Sequence, residues 1–295
     1  MGTRISDTAL VFEGGGMRAA LTSAFAVTLL EQGIDFDWVA GISAGASNAA
    51  NYVSRDAKRT RRSFVDFPAD ERFGGWRSFS RGQGYFNARY IYRETCEPGM
   101  ALPFHWRDFQ DNPADMLCVG FDVRTGAEVV WSKADYARMD DLMARVQASS
   151  TMPVIMPPVD IDGRLYVDGA MGADGGIPLT LAQEAGFERF VIVLTQQRDY
   201  VKEPVGMRSF LRTHFRSYPR LVEAMFTRHE RYNATRERIF ELERQGRAHI
   251  FAPEVMPLKN STRDLSRLAA AHRLGLSQAR RELPALREFL GLARP

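Results

Sequence analysis

The stretch ALVFEGGGMRAALTSAFAVTLLEQGIDFDWVAGISAGASNAA, residues 9–50, alternates short apolar runs, glycine turns and helical periods. Ala9 to Phe12 have the length and apolarity of a buried strand, and Gly14-Gly15-Gly16 interrupts them at once. From Arg18 to Gln32, Leu21, Phe25 and Leu29 recur four apart on one helical face, and Gly33 supplies a left-handed cap. Phe36 to Ala40 predict a second strand, Gly41-Ile42-Ser43-Ala44-Gly45 a second sharp turn, and the small residues through Ala50 a second helix. Strand, glycine turn and helix, twice over, predict parallel strands with helices packed on them. The fold class that follows is α/β: a three-layer α/β/α arrangement with a mainly parallel central sheet and a helical C-terminal part.

Outward from this stretch, residues 54–93 are rich in arginine and aromatics and poor in periodicity. They predict an irregular insertion, reaching to about residue 110, that caps one end of the sheet. Met116 to Val123 and Ala127 to Trp131 predict a hairpin around Thr125-Gly126, and Met139 to Ala148 a helix. Val159 to Ile161 and Arg164 to Asp168 predict another hairpin on Asp162-Gly163. A helix near Leu179 to Ala185 and a strand Phe190 to Thr195 follow. Residues 207–245 read as helical and basic, with a strand at His249 to Ala252 and helix beyond. The expected organisation is a catalytic core over residues 8–195 and a mainly helical C-terminal part over 196–295 packed on it.

Composition narrows the function classes. With 39 Lys and Arg against 36 Asp and Glu in 295 residues, a net charge of +3 does not indicate a nucleic-acid binder. The two cysteines, Cys96 and Cys118, have no metal-type or disulfide-framework spacing, which suits a reducing compartment and a cytoplasmic setting, with no metal expected. No apolar run reaches the length of a membrane-spanning helix.

Gly14 through Ala19 satisfy the G-x-G-x-x-A dinucleotide pattern after a strand, with Asp35 or Asp37 as the acidic partner. That reading leaves Gly41 to Gly45 unexplained. The G-x-S-x-G pattern between strand and helix is a nucleophile elbow, in which flanking glycines let the turn lift the Ser43 hydroxyl above the sheet. A serine nucleophile needs oxyanion donors and a base. Backbone N–H groups of a loop spanning Gly15, Gly16, Met17 and Arg18, at a helix N-terminus, would supply the donors. For the base the sequence offers His105, His214, His229, His249 and His272, none in a glycine-rich loop. It also offers Asp168, which ends an apolar strand and is followed by Gly169 and Ala170, and Asp174 in the next loop. An aspartate serves as base where its setting raises its pKa toward the working pH.

These residues resemble the patatin-like phospholipase family. The likeness rests on Gly14-Gly15-Gly16-Met17-Arg18, on Gly41 to Gly45, on Ala148-Ser149-Ser150 with Pro153, Pro157 and Pro158, and on Asp168-Gly169-Ala170 leading to Pro178. It covers roughly residues 8–195. It implies a Ser43–Asp168 dyad that hydrolyses acyl esters of lipids through an acyl-enzyme, with neither cofactor nor metal. A Ser-His-Asp triad and a dinucleotide-binding protein are the alternatives. Glu13 and Ala19 depart from the family's usual aspartate and glycine, and the segment before Pro178 is two residues longer than usual, which keeps Asp174 in play.

Between residues 207 and 247 ten arginines stand against five glutamates, with Phe210, Leu211, Phe215, Leu221, Met225 and Phe226 interspersed. Besides the lipid or ester substrate, the expected partner of this segment is an anionic membrane surface, touched peripherally.

Overall fold

The computed structural model describes residues 2–82 and 84–293, and the side chains of Trp76 and Arg77, in the arginine and aromatic stretch, lie outside the described set. The chain opens with β1 (Thr3–Ile5), β2 (Thr8–Phe12), α1 (Ala19–Glu31), β3 (Ile34–Phe36), β4 (Trp38–Gly41) and α2 (Ala44–Val53). Mostly short helices follow, α3 (Ala57–Val65), α4 (Trp76–Ser80) and α5 (Trp106–Asp111). Next come β5 (Asp115–Asp122), β6 (Glu128–Trp131), α6 (Met139–Ser149), β7 (Val159–Ile161) and β8 (Arg164–Asp168). The remainder is α7 (Leu179–Glu184), β9 (Arg189–Val193), α8 (Arg208–His214), α9 (Pro219–Arg244), β10 (Ala248–Phe251) and α10 (Leu265–Phe289).

All five residues of β2 are buried, because the strand lies between two others and under helices on both faces. Its side chains divide with period two: Leu10 and Phe12 join a core shared with Leu21, Phe25 and Leu268, while Ala9 and Val11 join one shared with Tyr232, Ile239 and Leu242. Three layers result. One eight-stranded sheet pairs in the order β10-β9-β2-β4-β5-β8-β7, with β6 also on β5. From β10 to β5 neighbouring strands are parallel, and β6 and β8 run antiparallel to β5.

Three expectations need correction. The strand expected at Phe36 to Ala40 is two strands, since the Asp37 N–H donates to Ile5 while the Asp37 carbonyl accepts from Asp115 (both 2.9 Å). The chain thereby leaves a small parallel ribbon of β1 and β3 and enters the main sheet as β4. The insertion is less irregular than expected: α3 is a regular helix, capped by the Asp56 carboxylate on the Arg59 N–H (2.8 Å), that buries Phe64 and Val65. Its period is masked in the sequence by arginines, one of which, Arg59, is itself buried. Finally, the basic helical stretch is broken between α8 and α9, where Pro219 starts a new helix at the one position that needs no N–H.

Candidate active site

Ser43 stands between the end of β4 and the start of α2 with φ 58° and ψ −127°, a backbone state costly for a residue with a side chain. The turn is possible because the chain packs without side chains on either flank. A Cβ on Gly45 would lie 2.3 Å from the Phe12 carbonyl oxygen, and one on Gly41 would lie 2.2 Å from that of Gly45. The Ser43 N–H is held by the Ser149 hydroxyl (3.0 Å) at the end of α6.

The register of β5 brings the distant aspartate to this serine. Gly41 of β4 is opposite Cys118, and Asp168 of β8 is opposite Gly120. Because β6 pairs with both Cys118 and Gly120, β4 and β8 share the other edge of β5 and meet end to end. Their C-terminal ends are two β5 residues apart, about 7 Å of strand. Asp168 is 4% exposed and Ser43 7%. Burial raises the Asp168 carboxyl above its ordinary range; the Arg228 charge, the Ala170 N–H (2.9 Å) and the neighbouring Ser43 side chain each pull it back. A buried carboxyl beside a serine, biased toward taking a proton, is the arrangement that general-base chemistry requires.

The glycine loop abuts the elbow: a Cβ on Gly14 would come within 3.0 Å of the Ser43 Cβ. Of the four expected donors, two are already engaged. The Met17 N–H donates to the Asn260 carbonyl (3.0 Å) and the Arg18 N–H to the Gly15 carbonyl (3.2 Å). The N–H groups of Gly15 and Gly16 have no acceptor among the described residues. Gly16 takes φ +54°, and a Cβ there would press on the Asn260 carbonyl at 2.8 Å. The Arg18 guanidinium turns away from the serine, toward the Thr195 carbonyl (3.2 Å) and the Asn260 side chain. Glu13, where the family has aspartate, is buried and accepts from the Thr195 N–H (2.5 Å) and the Tyr232 hydroxyl (2.7 Å), so its longer side chain ties the loop to α9.

The competing candidates sit elsewhere. Both Asp174 oxygens are occupied, by the Thr180 N–H (2.6 Å), the Thr180 hydroxyl (2.8 Å) and the Thr235 hydroxyl (3.1 Å), with Arg238 at 3.5 Å; it joins the start of α7 to α9. Among the described residues none of the five histidines hydrogen-bonds to Ser43 or Asp168. His105 pairs with Asp56 (3.4 Å), His214 stacks on Phe210, His249 lies against Phe289, and His272 bonds the Ala20 carbonyl (3.0 Å). His229 lines the cavity that Asp168 lines. Asp35 and Asp37, the partners a dinucleotide would need, are paired with Arg55 (3.3 Å) and Arg4 (2.6 Å).

Two cavities open beside the pair and share Met152. The one containing Ser43 spans about 790 Å3 including space open to solvent and is apolar, with a wall built by Phe64, Phe67, Phe73, Phe86 and Leu102 of the insertion. The one containing Asp168 is lined by Met171, Lys202, Met207, Leu211, Arg228 and others. Lys202 and Arg228 escaped the sequence reading because neither belongs to a motif. The signal for Arg228 was the basic character of residues 207–247; Lys202 lies before that stretch. Most of the apolar residues of that stretch face inward, with Leu221, Met225 and Phe226 packed on Val119, Phe121 and Val167, while Met207 (73% exposed) and Phe210 (49%) stay at the surface.

With this geometry in place, comparison with known proteins is informative. The patatin-like phospholipase family model matches residues 10–182, and a domain of unknown function, DUF6363, matches residues 218–291. No curated protein matches. Among solved structures, that of VipD from Legionella pneumophila is similar over 95% of this chain and 67% of its own, with a TM-score of 0.50 and 14% identity. At that identity the likeness is one of fold.

Proposed function

The chain belongs to the patatin-like phospholipase family, and from that membership we propose a lipid acyl hydrolase in which Ser43 and Asp168 act as a two-residue catalytic pair. The observation that carries this reading is the approach of Ser43 to the buried Asp168 carboxyl at the meeting ends of β4 and β8. As the Ser43 Oγ attacks the acyl carbonyl, its proton passes to Asp168, and the oxyanion forms against the Gly15 and Gly16 N–H groups. Asp168 returns the proton to the departing alcohol oxygen as the ester bond breaks, leaving the acyl chain on Ser43. A water gives its proton to Asp168 and attacks the acyl carbon, and the fatty acid departs as the proton returns to Ser43. The apolar cavity on the Ser43 side suits the acyl chain.

Labelling with a fluorophosphonate, followed by mass spectrometry, is expected to place the adduct on Ser43. Ser43→Ala should abolish hydrolysis of p-nitrophenyl butyrate and Asp168→Asn should lower it at least a hundred-fold, roughly the scale of a lost general base, while His229→Ala should retain it; loss in His229→Ala with a fully active Asp168→Asn would replace the pair by a histidine mechanism. No helix of the described residues is long and apolar enough to cross a membrane. A peripheral approach to lipid is the second part of the proposal. It is supported by Val201, Val205, Met207 and Phe210, exposed on the segment whose Val205 and Met207 line the Asp168 cavity, with the exposed Arg208, Arg212 and Arg216 beside them. Co-sedimentation with anionic vesicles at low salt tests it, and Met207→Asp with Phe210→Asp should abolish the association.

A further inference from the structure

The Asp168 cavity differs in character from the Ser43 cavity. It spans about 1130 Å3 including space open to solvent and sets two cations, Lys202 and Arg228, among apolar side chains, while its other carboxylate, Glu203, is exposed. Lys202 lies in a segment without regular structure, yet its backbone is clamped. The Lys202 N–H donates to the Asn233 side-chain oxygen (2.9 Å) and its carbonyl accepts from the Asn233 amide (3.0 Å), so α9 holds this one residue of the loop in place. The ammonium lies over the rings of Tyr232 (4.7 Å) and Tyr200 (5.8 Å) and has no carboxylate within ion-pair reach among the described residues. Burial, with Arg228 and Arg18 nearby, depresses it to about 8 despite the opposing Glu13. Glu13 is already taken by Thr195 and Tyr232. Arg228 donates its Nε to the Gly175 carbonyl (3.0 Å), and the Asp168 carboxylate feels its charge without an ion pair between them. A half-buried cavity with two under-compensated cations and an apolar wall is suited to an anion attached to something apolar.

We infer that this cavity receives the phosphate of a glycerophospholipid head group, between Lys202 and Arg228, while the ester carbonyl lies at Ser43 and the acyl chain enters the apolar cavity beyond it. The inference rests on the hydrolase reading for its ester and on the cavity alone for its anion. It gives the C-terminal part a role in substrate choice, since both cations lie outside residues 10–182, and Arg228 falls within the domain of unknown function.

The test compares dimyristoyl phosphatidylglycerol with dimyristoylglycerol, equal in acyl chains and different in phosphate, each in neutral Triton X-100 micelles. The wild-type protein should prefer the phospholipid in kcat/KM by about tenfold or more, the scale of one charge-assisted contact. Lys202→Met, which keeps the stem over the tyrosines, should collapse that ratio through KM, and Lys202→Arg should keep most of it. A ratio near one in the wild type, or one equal in wild type and Lys202→Met, overturns the inference. A binding arm separates it from the hydrolase reading: Ser43→Ala should bind dihexanoyl phosphatidylglycerol in calorimetry, and added Lys202→Met should remove that binding. Binding of this kind by a protein that cleaves neither lipid would sink the hydrolase and keep the subsite. Inorganic phosphate binding as tightly as the short phospholipid would make this a free-phosphate site and overturn the head-group assignment.

Discussion

Asp168 concentrates the proposed chemistry in one carboxyl, and its burial sets two pH dependences of known sign. As the base it must be ionised, so kcat/KM should fall on the acid side along a limb displaced above the ordinary carboxyl range near about 4, because burial raises its pKa. Asp168→Asn should lower kcat roughly a hundred- to ten-thousand-fold and remove that limb from any residual rate. Stability follows the opposite logic. The native protein keeps this proton to higher pH than the unfolded chain does, so the contribution of the group is fully present below about pH 4 and is lost as pH rises through the native value. Asp168→Asn, which stays neutral, should therefore melt above the wild type at pH 7.5, with the gap closing toward pH 4. A variant that melts lower at both pH values would mean that the native carboxylate is better satisfied than its burial implies. Ser43 belongs to the same picture, since its left-handed backbone is a strain that only a surrounding fold can hold.

Helix α9 shows how an arginine-rich segment can serve the interior. The Arg231 side chain donates to the carbonyls of Met171 (2.9 Å), Gly172 (2.9 Å) and Ala224 (2.9 Å), and Arg236 donates to those of Gln197 (2.7 Å) and Arg198 (3.0 Å). With the Arg228 contact to Gly175, the helix grips both the loop that follows Asp168 and the loop that carries Lys202. Arg231→Ala should cost about 2 kcal/mol in denaturant unfolding, the scale of charge-assisted bonds to carbonyls left without a donor, and should lower activity by loosening Asp168. An unchanged unfolding midpoint would show that water replaces the guanidinium without cost. The arginines gave the stretch its basic look, and nothing in a linear pattern separates one that solvates from one that reaches a distant carbonyl. Strand β1 was missed for a related reason: Thr3-Arg4-Ile5 has no apolar run, and its pairing with β3 is written in backbone bonds.

The C-terminal part is integral to the molecule as a whole. β10 extends the main sheet on β9, α10 packs along α1, and Gly275 lets the helices touch, since a Cβ there would lie 2.2 Å from the Leu21 carbonyl oxygen. The loop between them carries Asn260 onto the glycine loop, engaging the Met17 N–H and leaving those of Gly15 and Gly16. A chain ending at residue 206 would expose the apolar face of α1 and an unpaired edge of β9. It should fail to unfold cooperatively in far-ultraviolet circular dichroism and should aggregate. A cooperative melt from that fragment would make residues 8–195 an autonomous unit.

Local pattern was enough to read the two strand-glycine-helix units, the sharp turn at Ser43 and the strand that ends at Asp168, because each is set by neighbours a few positions apart in the chain. The pairing of Ser43 with Asp168, separated by more than a hundred residues, depended on the register of β5, which lets two strands from opposite directions finish two residues apart. The same holds for which N–H groups of the glycine loop are left without an acceptor among the described residues, for the bonds that engage Asp174, and for the cations beside Asp168. Each turns on which group a distant backbone or side chain has already engaged, and hydrogen-bonding capacity is allotted only once the chain has folded.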